Sequence, residues 1–364
     1  MPFYRSRWPV SIQRSADADN ANRDFFWYLN KFIASEIRVH ESVSNTQLST
    51  GRRQSVGTVT ALAADEPLPK RRKLVPFILF LLTCLSTFWV GITAWQPLPA
   101  LQIAANQGDS IYLRQLFIAH WEEGLIYMAC VLAILLCHEL GHFVMTLVYR
   151  VPATVPIFLP FPFNPIGTLG AVIGMKGIAA NRKQIFDIGL AGPLAGLVVA
   201  VPIAWWGVMQ LDLSPPPQGG LGLRMPLGLD WLIRWMGVPG YAGQPIWLNQ
   251  LNPYFAAAWV GFFVTGLNMI PVGQLDGGHI TYTLWGRRAQ WLAQAILVAA
   301  IASMVYFRSF VLVVMVALVL LMGTGHPPTK DEVSPMGWSR CILGYVSLII
   351  PVLCFPPMVF EFVD

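Results

Sequence analysis

Charge is what this sequence is short of. Asp, Glu, Lys and Arg make up 12% of its 364 residues, about half the roughly 25% usual in a soluble globular protein. Hydrophobic residues account for 55%, and several apolar runs approach the roughly 20 residues that span a bilayer. The shortage excludes an ordinary water-soluble domain and defines an integral membrane protein. A soluble basic patch is missing too. The formal charge of +5 comes from Lys and Arg gathered at the ends of apolar runs, as the positive-inside rule expects, which excludes a nucleic-acid partner. Cysteine is sparse: Cys84, Cys130, Cys137, Cys341 and Cys354 lie in or beside apolar runs, and no Cys-x-x-Cys pair is formed. They read as small buried hydrophobes. Cys137 adjoins a histidine motif but points about 100° away from it on a helix, so it is not a ligand. No early apolar core marks an ordinary signal peptide. The first fifteen residues suit an organelle transit peptide, but Asp17 and Asp19 soon afterwards spoil the pattern.

What is present falls into three parts. Residues 1–73 are polar and partly flexible, with Arg5, Arg7, Arg14, Arg52 and Arg53 among Ser, Asn and Asp. Asn22 to Ile33 can form a short amphipathic helix there. Lys70-Arg71-Arg72-Lys73 then abuts the apolar core, residues 74–324, and residues 325–364 form a C-terminal segment with a last span. The expected spans are 74–95, 125–149, 186–209, 253–270, 291–306, 309–322 and 341–359. The fold class is therefore an all-α polytopic membrane protein of about seven transmembrane helices. Between them, residues 155–165 carry Pro156, Pro160, Pro162 and Pro165, which a helix interior does not tolerate. Gly167 to Met175 follow, punctuated by glycine. The two stretches predict a re-entrant hairpin-like segment beside the site, and backbone of that kind at depth needs protein or water around it. This topology leaves Arg114, Arg224, Arg234 and Arg308 outside, with Lys176 in the hairpin, and puts the N-terminus on the cytoplasmic side. A bacterial inner membrane suits the composition.

The scarce polar residues converge. His138-Glu139-Leu140-Gly141-His142 lies within the apolar run Val131 to Val148. On a helix the histidines sit about 40° apart, able to hold one zinc ion, with Glu139 beside them as general base for a water. A charged triplet in such a setting is a functional hypothesis by default. Two histidines leave zinc short of a third protein ligand. Asp187 opens one span and can instead cap that helix; Asp276 sits where another span breaks, at Leu275-Asp276-Gly277-Gly278. His279 reads as a partner of the ligands or a helix cap. Asn268 faces the same region and suits an oxyanion or a helix-packing hydrogen bond. His40, His120 and His326 read as solvated or interfacial.

The His-Glu-x-x-His pair with the downstream Asn268-x-x-Pro271-x-x-x-Leu275-Asp276-Gly277 resembles the site-2 protease family of intramembrane zinc metalloproteases. The resemblance covers roughly residues 74 to 324. Gly167-Thr168-Leu169-Gly170-Ala171 and Asp187 to Pro193 are similar to its bacterial and chloroplast branch without a PDZ domain. It implies His138, His142 and Asp276 as ligands of one Zn2+ per chain and Glu139 as the catalytic base. It further implies Asn268, Gly167, Thr168 and Gly170 near the substrate. The implied partners are the lipid bilayer and transmembrane proteins trimmed by an earlier protease. A catalytically inactive metal-bound scaffold is the alternative, and it would need a defective motif. A metal transporter would need polar residues along a path across the bilayer, whereas here they gather at one depth.

Overall fold

The computed structural model describes residues 74–107, 111–175, 180–216, 221–307, 313–323, 325, 329–331, 334–356 and 360–362. By internal contact the chain divides after Val59, and everything described belongs to the unit Thr60–Asp364. The expected amphipathic helix near residue 22, the basic cluster before Leu74, Lys176, Arg308, His40 and His326 lie outside the described residues.

Helices dominate. α1 (Leu74–Ile92), α2 (Pro97–Gln107) and α3 (Ile111–Val148) precede a two-stranded hairpin, β1 (Ile157–Phe161) and β2 (Gly167–Val172). α4 (Arg182–Met209), β3 (Leu221–Leu223), α5 (Leu227–Trp235), β4 (Ile246–Trp247) and α6 (Pro253–Asn268) follow. α7 (Asp276–Trp285), α8 (Ala289–Phe307), α9 (Val313–Met322), α10 (Trp338–Ser347), α11 (Ile350–Cys354) and β5 (Phe360–Phe362) complete the described chain.

Among the described residues four helical stretches are long and apolar enough to cross a membrane: 74–92, 111–148, 182–209 and 276–306. The expected count of about seven is not confirmed by that measure: among the described residues the expected spans 253–270, 309–322 and 341–359 do not reach it. α6 runs only 16 residues, about 24 Å at 1.5 Å per residue, because Asn252 and Pro253 start it and Met269 to Pro271 end it. α7 and α8 join through a short 3-10 turn at Gly286–Arg288, so Asp276 opens the long helical stretch that contains the expected span 291–306. The last expected span breaks between Ser347 and Ile350, giving α10 and α11. α3 departs the other way. Its 38 residues begin well before the expected Leu125, since Ile111 to Glu123 contains no Gly or Pro to stop a helix. The boundary of an apolar run is not the boundary of a helix.

α4 is central and packs against α3, α6 and α7. α6 is buried nearly all round, from Phe255 through Phe263 and again at Thr265 and Gly266, as a helix apolar on every face must be. Its Asn252 cap accepts the Phe255 N–H at 2.9 Å. The main core joins Val131, Ile134 and Leu135 of α3 with Ala200 and Ala204 of α4 and most of α6.

The hairpin formed as expected. Its strands run antiparallel, Ile157 opposite Val172 and Phe161 opposite Gly167, with a register shift between Phe158 and Pro160. Asn164 closes the turn: its Oδ1 accepts the N–H groups of Ile166 and Gly167, and its Nδ2 donates to the Thr168 carbonyl. Helices then hold the turn in place. Ser86 of α1 donates to the Gly167 carbonyl at 2.6 Å, and Tyr127 of α3 donates to the Ile166 carbonyl at 3.0 Å.

A second sheet, in the order β4–β3–β5, brings the C-terminal strand back beside β3, with Gly222 opposite Glu361. Nearby, α5 buries Leu229, Leu232 and Ile233 and exposes Leu227, Trp231 and Trp235. That stripe continues onto the exposed Trp205, Trp206 and Met209 at the end of α4, the aromatic pattern found where a span meets the membrane–water boundary.

Candidate metal centre

α3 carries His138, Glu139 and His142, and the first residue of α7 is Asp276. α4 packs between them, and its small residues decide how closely. A Cβ on Gly192 would lie 2.1 Å from His142 Nε2, and one on Gly196 would lie 3.2 Å from His138 Cβ and Nδ1. Glycine at 192 therefore makes the space for the His142 ring. The small residues from Gly189 to Gly196 thus allow close packing, and their partners include the site's own imidazoles.

Asp276 comes to the same point because α7 crosses tightly over the loop that follows α6. A Cβ on Gly277 would sit 2.0 Å from the Met269 carbonyl oxygen, and one on Gly278 would sit 2.3 Å from that of Gly273. These two glycines are needed for backbone contact and not for a turn, since neither takes a positive φ.

The donor atoms converge. His138 Nε2 lies 3.2 Å from His142 Nε2, and each lies 3.3 Å from one oxygen of Asp276. No other His, Cys, Asp or Glu joins this group among the described residues. A tetrahedral zinc with bonds of about 2.0–2.1 Å sets its donors roughly 3.3 Å apart, so the spacing fits. The chemistry fits as well. The Ile188 carbonyl, which can only accept, lies 2.8 Å from His142 Nδ1. Nδ1 must carry the proton, and in the neutral ring Nε2 is left with its lone pair. Lone pairs and carboxylate oxygens facing one another in a buried space call for a cation. Glu139 is only 6% exposed and lies within electrostatic reach of both histidines and Asp276. Among the described residues neither carboxylate pairs with Lys or Arg. A divalent ion would balance two such charges.

Asn268 closes α6 beside this cluster, its Nδ2 3.3 Å from His138 Nε2. His279 follows Asp276 by almost one helical turn, against Gly189, outside the donor group. Asp187 is the correction. It neither joins the donors nor caps α4; Asn181 is the cap, accepting from the Gln184 N–H in a reciprocal capping box. Asp187 instead accepts from Arg340 and Tyr149. Thr168 is buried at 2% exposure, its hydroxyl donating to the Leu159 carbonyl and accepting from the Gly170 N–H, so it is occupied within the hairpin. Gly170, at φ 93°, is buried, yet nothing lies within 4 Å of where a side chain would go. Sequence reasoning missed the roles of the Ile188 carbonyl and Arg182. A backbone acceptor leaves no side-chain signal. Arg182 reads as a topological anchor, yet it donates to the Thr283 carbonyl at 2.6 Å and to that of Leu284 at 3.3 Å, capping the end of α7.

A helical chain of membrane-spanning character, with a buried His–His–Asp donor cluster and a glutamate beside it, has the makings of a membrane metallohydrolase. Residues 126–316 match peptidase family M50. The chain belongs to that family, the site-2 proteases. Among curated proteins it is 28% identical over 249 residues to "Probable zinc metalloprotease EGY2, chloroplastic" of Arabidopsis thaliana, covering 66% of this chain and 42% of that protein. It is 29% identical over 296 residues to "Probable zinc metalloprotease EGY1, chloroplastic" of Oryza sativa subsp. japonica, covering 78% and 50%. The Arabidopsis protein of that second name is 30% identical over 235 residues, 63% of this chain and 42% of its own. The chain thus spans about half the length of these relatives. Their names place them in the chloroplast, so they lend nothing to the expectation of a bacterial inner membrane or a cytoplasmic N-terminus. Association with a membrane stands.

Proposed function

We propose that this chain is a zinc-dependent intramembrane endopeptidase, hydrolysing peptide bonds in or near the transmembrane segments of membrane proteins. The observation that carries the reading is the convergence of His138, His142 and Asp276 donors within 4.8 Å of one another, with Glu139 buried alongside. In this reading residues 74–324 are the catalytic core and His138, His142 and Asp276 hold one zinc ion. That ion, when bound, would polarise the scissile carbonyl and make water acidic enough to deprotonate near neutral pH.

The remaining steps belong to the protein. Glu139 accepts a proton from the attacking water as the water oxygen bonds to the carbonyl carbon. It then delivers that proton to the departing amide nitrogen as the C–N bond breaks, leaving a carboxylic acid and an amine, between which the water's second proton then passes to give carboxylate and ammonium. Burial suits it to the task, because bulk water does not compete for the proton. Once the His138 Nε2 lone pair is committed to a metal, the Asn268 N–H aimed at it is freed to donate to the oxyanion. A helical substrate must unwind before attack, since its amides are hydrogen-bonded. Among the described residues β2 pairs with β1 alone, so its other edge offers the unwound strand a place to join.

The purified chain in a bilayer should cleave a model transmembrane substrate, lose that activity to a zinc chelator, and regain it on adding back zinc. Cleavage that survives complete removal of metal would sink the proposal.

A further inference from the structure

Arg340 lies beyond the family match at 126–316, yet it reaches the support of the metal centre. From α10 its Nε donates to Asp187 Oδ1 at 2.9 Å and its Nη2 to Asp187 Oδ2 at 2.8 Å. This is a two-pronged contact that fixes orientation as well as distance. Tyr149, just past the end of α3, donates its hydroxyl to the same Oδ2 at 2.5 Å. One carboxylate thereby joins the end of α3, the opening turns of α4, and α10.

The next residue after Asp187 is Ile188, whose carbonyl receives His142 Nδ1–H. His142 on α3 and Tyr149, one residue past its end, lie seven residues apart, about two turns and nearly the same face. The contacts His142 to Ile188 and Tyr149 to Asp187 are therefore neighbouring rungs between α3 and α4, and Arg340 locks the outer rung. α10 is seated closely enough to hold it there: a Cβ on Gly344 would lie 2.9 Å from the Phe186 ring and 3.1 Å from Leu284. Trp285 of α7 also donates to the Tyr345 hydroxyl at 3.2 Å. The Arg340 side chain is 34% exposed and that of Asp187 16%. Ion pairs so exposed add little to stability, so a fork of this geometry matters chiefly for placement.

We propose that Arg340 is a positioning residue of the metal centre. Its grip on Asp187 keeps α4 in the register in which Ile188 orients the His142 ring, so the C-terminal segment completes the site. This inference rests on the metal reading above.

The test uses the full chain in lipid nanodiscs. Zinc affinity is measured by chelator competition, and the absorption spectrum of the cobalt-loaded protein reports donor geometry. Arg340→Gln should weaken zinc about 10- to 100-fold, the usual cost of losing a group that orients a ligand, and change the cobalt spectrum while the unfolding temperature stays near wild type. Arg340→Lys, which keeps the charge without the fork, should restore only part of the affinity. Tyr149→Phe should move the spectrum in the same direction by less, and it serves if Arg340→Gln does not fold. Arg224→Gln removes another ion pair of the C-terminal segment, with Glu361 at 2.7 Å, and should change neither readout. Wild-type zinc affinity and spectrum in Arg340→Gln would overturn the inference alone, as would an equal loss in Arg224→Gln. A wild-type chain that binds no zinc would overturn the metal reading and this inference together.

Discussion

Glu139→Gln should slow cleavage of a transmembrane substrate by about 10²- to 10⁴-fold, the usual contribution of a positioned general base, while one zinc stays bound. The substitution keeps size and shape and removes only the ability to accept a proton. Glu139 stands outside the donor cluster formed by His138, His142 and Asp276, so the ligands are untouched. Its burial at 6% exposure means the neutral amide loses no solvation that the carboxylate enjoyed. Cleavage at the wild-type rate would remove Glu139 from the mechanism. Zinc lost together with activity would make it a ligand instead.

Gly192→Ala is expected to be the most damaging single methyl in the site. The added Cβ would sit 2.1 Å from His142 Nε2 and 2.4 Å from Cε1, far inside contact distance. Two adjustments can relieve the overlap. The ring can swing away, breaking the Nδ1–H bond to Ile188 at 2.8 Å, or α4 can retreat from α3, opening the interface. Either separates a ligand from its partners, and a loss of about a hundredfold or more in zinc affinity is expected, at or beyond the upper end for an orienting contact. Val198→Ala, on the same helix at a position 72% exposed, should leave zinc binding intact and serves as the comparison. Equal zinc affinity in Gly192→Ala and wild type would mean that the ring does not lie where the structure has it.

Much of the site was legible in the sequence, for a definable reason. Polar residues in an apolar chain are few, so His138, His142, Asp276 and Asn268 stand out before any fold is known, and the structure brings the four together. The hairpin was legible because four prolines and a run of glycines forbid helix where the composition remains apolar. Helix lengths were not. Ile111 to Glu123 lies before the expected span at 125–149, yet nothing in it stops a helix, and α3 runs through. Asp187 looked like a cap or a ligand because Asp does both, and only the fold showed Asn181 in the cap position and Arg340 opposite the carboxylate. Gly277 and Gly278 stood out only as glycines beside Asp276. Their real constraint, carbonyls of the 269–273 loop against the start of α7, exists only once the chain has crossed itself.

The central claim is that His138, His142 and Asp276 together hold one metal ion, and metal content by native mass spectrometry tests it most directly. The wild-type chain should carry one zinc and Asp276→Ala none, both proteins being folded by circular dichroism. A full equivalent of zinc retained by Asp276→Ala, or none in the wild type, would contradict it.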